Sequence, residues 1–449
     1  MRKLLLGFLF LGLIGCSSDD GNENPETLTP SGFLGEVDWV KNFGGTNEDT
    51  AQSVIRTADG GYAILGYTNS NDGDITDKSS VVNDYWLVKL DAAGNVQWNK
   101  TYGGSGDDRG TSLIQTNEGG FALVGFAMSS DGDGSNNEGF HDNWILKLTN
   151  SGEIEWERSF GFSGHDHSYD VLQTEDGGFF FVGFLDVTAS EGAGGETNKG
   201  NSFTRHGVGE FWGTKLDAQG NIEWRRFFGG SGNDRAYGVV KALDGGFVIT
   251  GSTESNDFDI SNSRGSYDVW VVKVAKDGTL VWERSFGGAG IDMAWDIANT
   301  DDNAYVIAGN TFSTDIDVSK NNGESDMWLI KINDNGTLLW EKTYGGSEFD
   351  AAQAVCLDAD GGFLLTGNSK SLDSDATKNA GENDIWIIKT DANGAILWQE
   401  SFGGLGLDFG LDAIALEDNG ILVVGETHSN DFLELQHKGK SDMIVIKIK

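Results

Sequence analysis

Hydrophobic and polar residues along this chain fall into short runs separated by Gly- and Asp-rich breaks, and the runs come in groups of four. The first group reads "TAQSVIRT", "GYAILGYT", "YWLVKL" and "NVQWNKTY". β-Branched and aromatic residues dominate, and no run is long enough for a helical period to develop, so each predicts a strand. "ADGG" joins the first two runs; its Asp-Gly and Gly-Gly steps tolerate positive φ and predict a tight hairpin. "DGG" returns at Asp176, Asp244 and Asp360, and "EGG" at Glu118. "DAAGN" joins runs three and four as a short turn with Gly at a left-handed position. Between runs two and three lies a longer polar loop, "NSNDGDITDKSSVVND". The third run is apolar on both faces, as a sheet covered on both sides requires.

The groups repeat. A Trp precedes each glycine-rich break at Trp39, Trp98, Trp156, Trp224, Trp282, Trp340 and Trp398, in steps of 59, 58, 68, 58, 58 and 58 residues. A second series runs Trp86, Trp144, Trp212, Trp270, Trp328 and Trp386, with Met443 in the seventh place; Trp295 alone stands outside both. Four antiparallel strands per unit of this length predict an all-β, seven-bladed β-propeller. "DMIVIKIK" is a third strand without a fourth, and "EVDWVKNFGG" is a fourth strand without a third. Pairing the two closes the ring through the N-terminal strand and leaves no open edge.

Composition sharpens this. Gly supplies 66 of 449 residues, and the two prolines, Pro25 and Pro30, precede the first repeat, as a turn-rich all-β body requires. A net charge of −39 argues against nucleic acid and against an anionic membrane face as direct partners. "MRKLLLGFLFLGLIGC" has a basic start and an apolar run too short to span a membrane, the pattern of a signal peptide. "SSDDGNENPETLTPSG" reads as a flexible acidic tether. The expected division is residues 1–15 signal peptide, 16–34 tether and 35–449 propeller. Of the two cysteines, Cys356 stands in the slot that Ile55 holds in the first repeat, which fits a small buried hydrophobe.

Two resemblances add expectations. "LIGC" resembles a bacterial lipobox, which implies cleavage before Cys16, acylation of its thiol and a membrane anchor there. Asp19 and Asp20 resemble the export tag of surface lipoproteins in Bacteroidetes-type bacteria, which implies the outer membrane and the cell surface. The recurring "GGSGxDxA…DGGF…GxTxS…DxWxxK" resembles the Gly-rich propeller repeats of such bacteria over residues 35–449. "KLDAAGNVQW" is similar to the tryptophan-docking turn of quinoprotein-like propellers, where it is a structural clasp.

By strand direction, the crossings between blades and the long loops share one face, here called the crossing face. Asp49, Asp108, Asp166, Asp234, Asp292, Asp350 and Asp408 recur in the crossings, and seven copies favour a structural acceptor for turn amides over a unique site. In the long loops Ser-x-Asp-x-Asp places Asp72 and Asp74, Asp257 and Asp259, Asp315 and Asp317, Asp373 and Asp375, with Asp131 and Asp133 a near match. Alternating carboxylates suit Ca²⁺; hydrogen-bonded turns are the competing reading. Lys89, Lys147, Lys215, Lys273, Lys331, Lys389 and Lys447 recur in the third strands and fit structural ion pairs.

Blade three breaks the symmetry. Its repeat is longer, through "DVTASEGAGGETNKGNSFTRHGVGEF", and its crossing reads "GFSGHDHSYD". His141, His165, His167 and His206 gather on the crossing face of blades two and three, with Asp166, Arg205 and Glu210 close in sequence. Such a set suits a second divalent metal such as Zn²⁺, or general acid–base work; a solvated loop cluster is the alternative. Two functions remain open: a non-catalytic binding or scaffold propeller for protein or glycan ligands, and a polysaccharide hydrolase or lyase at the blade two/three mouth.

The anchor is directly testable. In a bacterium that processes lipoproteins, radiolabelled palmitate is expected to enter the wild-type chain and not Cys16→Ser, which leaves the membrane fraction. An unlabelled wild type refutes the anchor.

Overall fold

The computed structural model describes residues 32–186 and 209–449. Cys16, the expected signal peptide, most of the expected tether, Arg205 and His206 lie outside the described residues.

Asp49 to Tyr102 forms the first blade: β2 (Asp49–Arg56), β3 (Tyr62–Thr68), β4 (Asp84–Leu90) and β5 (Val96–Tyr102), hydrogen-bonded in sequence order. Five more blades repeat this order, opening on β6 (Asp108–Gln115), β10 (Asp166–Gln173), β14 (Asp234–Lys241), β18 (Asp292–Asn299) and β22 (Asp350–Leu357). The seventh is composite: β26 (Asp408–Ala415), β27 (Ile421–Thr427) and β28 (Asp442–Ile448) take β1 (Val37–Phe43) as their outer strand. Lys41 pairs with Val445 and Phe43 with Met443, so the ring closes as expected. No edge strand is left at the seam to template association.

The opening strand of each blade is innermost and the fourth is outermost. Third strands are covered on both faces: every residue of β4 is buried. Trp86, Trp144, Trp212, Trp270, Trp328 and Trp386 are the largest fully buried side chains. Five of the six indole N–H groups reach the outer strand, as Trp144 does to Glu157 (3.0 Å) and Trp270 to Glu283 (3.0 Å); the Trp212 N–H, in blade three, has no partner among the described residues.

The outer-strand Trp series forms the expected clasp. Each ring lies against the left-handed Gly of the next blade's short turn, Trp39 on Gly94, Trp98 on Gly152 and, across the seam, Trp398 on Gly35. The third-strand lysines tie the opposite face together. Lys89 meets Asp59 (3.0 Å), Lys215 meets Asp176 (3.1 Å) and Glu223 (2.9 Å), and Lys389 meets Asp358 (3.0 Å). These pairs fit the structural reading. Cys356 is half-buried at the inner strand rather than enclosed, and burial pushes its thiol up to about 12.

Two glycines separate the clasp from backbone strain. Gly119 (φ +89) has open space where a Cβ would go, whereas a Cβ on Gly152 (φ +77) would come within 2.9 Å of the Tyr102 hydroxyl and 3.1 Å of the Trp98 ring. Gly119→Ala should cost about 1–2 kcal/mol, the left-handed penalty alone. Gly152→Ala should cost about 1–3 kcal/mol more through overpacking. Equal losses in urea unfolding would show that the Trp clasp carries no energy.

Candidate functional site

The crossing face is built on buried carboxylates. Asp49 accepts from the Gly45 N–H (2.8 Å) and the Ser70 hydroxyl (2.9 Å), and also from the Thr68 hydroxyl. Asp234, Asp292, Asp350 and Asp408 repeat the pattern; Asp292, for example, takes the Gly288 N–H at 2.7 Å and Ser313 at 2.7 Å. One carboxylate thus joins the crossing to the start of the long loop. Asp166 departs from this. Leu185 stands where Thr68 does, and Asp166 accepts instead from the N–H groups of Phe162 (2.6 Å) and Asp186 (2.8 Å). Burial pushes its carboxyl up to about 7, with Asp142 and Asp186 adding to the rise.

The Ser-x-Asp-x-Asp loops fasten to the same crossings. Asp72 accepts from the Thr46 N–H (2.8 Å) and Asp74 from the Gly44 N–H (2.9 Å). Asp257 and Asp259, Asp315 and Asp317, and Asp373 and Asp375 take the equivalent amides. Among the described residues these pairs form no cluster of three ligand groups within reach of one ion. The residue between each pair has positive φ. It is Gly73 and Gly132 in two blades, but Phe258 (φ +53, 51 % exposed) and Ile316 (φ +58, 62 % exposed) in two others. Left-handed backbone costs a non-Gly residue about 1–2 kcal/mol, and here it presents apolar side chains at loop tips.

One seam differs in chemistry. At six of the seven seams the residue before the third strand bridges, parallel, to the residue before the next inner strand; examples are Glu48 with Ser441, Gly209 with Asn233, Ser325 with Phe349 and, at the blade two/three seam, His141 with His165. His167 follows two residues on, on the same face of β10 as strand alternation requires. His141 Nδ1 lies 3.0 Å from His165 Nδ1 and 3.1 Å from His167 Nε2. His167 stacks on Phe126 (centroids 4.0 Å apart, planes at 15°) and contacts the Tyr169 hydroxyl through Nδ1 (3.3 Å). Burial, then the charges of its two histidine neighbours, lowers His167 to about 3; burial also lowers His141. The structure therefore brings together three of the four expected imidazoles. Asp166 is not brought to them, being fully buried in the crossing.

Beside this seam opens the axial channel. Each inner strand carries a bulge near its third residue, as between Ala51 and Ser53, and a bulge re-aims a side chain. The residues at these positions, Gln52, Thr111, Tyr169, Tyr237, Trp295, Gln353 and Leu411, line one cavity of about 210 Å³. Tyr169 and Tyr237 lie 4.9 Å apart and Tyr237 and Trp295 4.6 Å apart, a continuous aromatic wall facing amide, hydroxyl and leucine groups. At the rim, Arg109 is forked onto Asp107 (2.9 and 2.8 Å), and exposed Arg235 lies over Phe184 (4.7 Å). Beneath lie Asp170, Asp296 and Asp412, each receiving an amide of the following blade, from Val239 (2.9 Å), Val355 (2.8 Å) and Val54 (2.8 Å). Burial pushes them up to about 6, 8 and 7.

Sequence reasoning missed this ring. Its signal was present: Trp295 is the one tryptophan outside both periodic series. Aligning the residue three beyond each crossing Asp would have exposed the aromatic wall.

No family model matches the chain. The regulatory protein FlaEY of Caulobacter vibrioides is 24% identical over 168 residues, covering 34% of this chain; the chain spans 17% of that protein's length. A solved protein of unknown function from Bacteroides caccae aligns with TM-score 0.40 and 11% identity over 75% of this chain and 93% of its own. Sqt1 from Chaetomium thermophilum aligns with TM-score 0.42 and 10% identity over 86% of this chain and 83% of its own.

The buried carboxylates set a pH dependence. In the unfolded chain aspartates titrate near 3.9, whereas Asp166 and Asp412 are raised to about 7 and Asp296 to about 8 in the folded state. Between these limits the folded protein holds more protons than the unfolded, so its stability is fully present below about pH 4 and declines as pH rises through 7–8. His167, lowered to about 3, opposes this trend below about pH 6.5, one such group against the three raised carboxyls, while Asp59 and Asp176, held at about 2, cost stability only in stronger acid. The melting temperature should therefore rise from pH 8 to pH 5, and urea unfolding near pH 6 should release protons to solvent. Proton uptake instead would overturn the assignment.

Proposed function

We propose that the chain is a lipid-anchored, surface-exposed binding propeller of the outer membrane that receives its ligand over the axial mouth of the crossing face. One observation carries this reading. The repeat holds its structural positions nearly constant, while the seven side chains aimed into the channel differ and gather three aromatics on neighbouring blades. An aromatic wall in the same channel as Gln52 and Gln353 suits a sugar ring, whose C–H face lies on the aromatics and whose hydroxyls meet the amides. A volume of about 210 Å³ is below the roughly 300–1,000 Å³ of sites that enclose a drug-sized ligand. The pocket thus takes one terminal residue of a glycan, the rest lying across the face. The exposed Phe258 and Ile316 support a broader contact surface of that kind.

A second reading, a polysaccharide hydrolase or lyase, is favoured by the contact between His167 and Tyr169 beside the pocket. In that reading the pair exchanges a proton with the bound sugar.

Titration calorimetry of the lipid-free mature chain against a polysaccharide panel tests both. Tyr237→Ala and Trp295→Ala should each weaken the bound glycan about tenfold, as loss of ~1.4 kcal/mol requires, without shifting the melting temperature strongly. A glycan whose affinity ignores both substitutions sinks the axial site. Product formation during the titration selects the enzyme.

A further inference from the structure

We propose that His141, His165 and His167 form a three-imidazole site for a borderline divalent transition metal, Zn²⁺ or a chemically similar ion, at the blade two/three seam. The argument begins with the backbone. The bridge from His141 to His165 recurs at five other seams, and the Asp166 N–H donates to the His141 carbonyl at 2.8 Å, as the Asp108 N–H does to the Asn83 carbonyl (2.9 Å) at the blade one/two seam. Two of the ligands are therefore placed by the ring itself and the third by strand alternation.

The same three positions at the blade one/two seam are Asn83, Asp107 and Arg109. There the Asn83 amide donates to Asp107 (2.8 Å) and Arg109 forks onto it, a matched set of donors and acceptors. Three imidazoles cannot match in this way. A neutral ring offers one donor and one acceptor nitrogen, and His141 Nδ1 faces two other ring nitrogens at 3.0 and 3.1 Å. It can satisfy one of them. A cation at the meeting point satisfies all three.

The spacing suits one. Imidazole nitrogens about 2.05 Å from a tetrahedral ion stand ~3.3 Å apart. The three ligand atoms here lie within 4.8 Å of one another, and exposed His165 is free to close the longest gap. Imidazole is the ligand of Zn²⁺, Cu²⁺ and Ni²⁺ rather than of Ca²⁺ or Mg²⁺. Nδ1–H of His167 directed to the Tyr169 hydroxyl leaves Nε2 free for the metal, the outer support that fixes the tautomer of a metal-binding histidine. Three protein ligands leave a fourth position for water or for a donor atom of a ligand seated over the channel.

Co²⁺ is the probe, because its visible d–d bands report coordination directly. The lipid-free mature chain should bind one Co²⁺ with the intense bands of a four- or five-coordinate nitrogen site, and Zn²⁺ should displace it. His165→Ala, at an exposed position, and His165→Ala with His167→Ala should weaken binding at least ~100-fold and abolish the bands. Tyr169→Phe should retain the bands and weaken binding about 10- to 100-fold. Near-UV circular dichroism checks that each variant is folded. No bands and no binding in the wild type overturn the site, as does binding that the double variant leaves unchanged. The readout is the metal alone, so it fails or succeeds independently of glycan binding.

Discussion

Each blade hangs on a carboxylate that water does not reach. The crossing Asp is fully buried in all seven blades, at a point where a Gly-rich turn leaves amides with no strand partner. An orphaned buried N–H costs about 1–3 kcal/mol, and the carboxylate removes that cost. In most blades it also takes hydroxyls from the start of the long loop, as Asp49 does from Thr68 and Ser70. Inner strand, crossing and loop are thereby locked to one group. The Asp pairs of the long loops extend this lock outward to the same turns. The crossing face is consequently stiff even though little of it is regular structure.

That stiffness explains which parts of the molecule were legible in the sequence. Periodic Trp, Gly and Asp are periodic because each makes a contact that every seam needs. Trp39 on Gly94 and Trp398 on Gly35 are the same contact at different seams, so strand order, blade count and ring closure could all be read from spacing. The lysine series was legible for the same reason, as the Lys89–Asp59 and Lys389–Asp358 pairs show. The grouping of His141, His165 and His167 was legible because it broke the period. Spacing did not reveal which members meet. His165 and His167 reach His141 through a parallel bridge between blades, while Asp166, between them in sequence, points the other way into the crossing.

The axial wall was not legible, and the reason is geometric. A bulge inverts the local alternation of faces, so strand parity assigns Tyr169, Tyr237 and Trp295 to blade packing rather than to the channel. The same inversion brings Asp170, Asp296 and Asp412 onto the amides of the following blades. Alternating carboxylates in the long loops also resist reading from sequence. A turn that needs acceptors and an ion that needs oxygens call for the same residues, and only the partner atoms distinguish them.

Two registers escape the lock: the bridge position before each third strand and the bulge of each inner strand. Neither supplies a crossing acceptor or a Trp clasp, so substitution there leaves the ring intact. At the bridge register the seams hold residues as different as Ser325, Tyr267 and His141. At the bulge the blades hold Gln52, Leu411 and Trp295. Side chains can therefore change at these positions without disturbing the ring. On each of blades two to five at least one of these positions holds an imidazole or an aromatic ring: His141, Tyr169, Tyr237 with Tyr267, and Trp295. His167 and Tyr169 stand two residues apart on one inner strand and connect the two registers through a single contact. A ligand over the mouth would meet both at once.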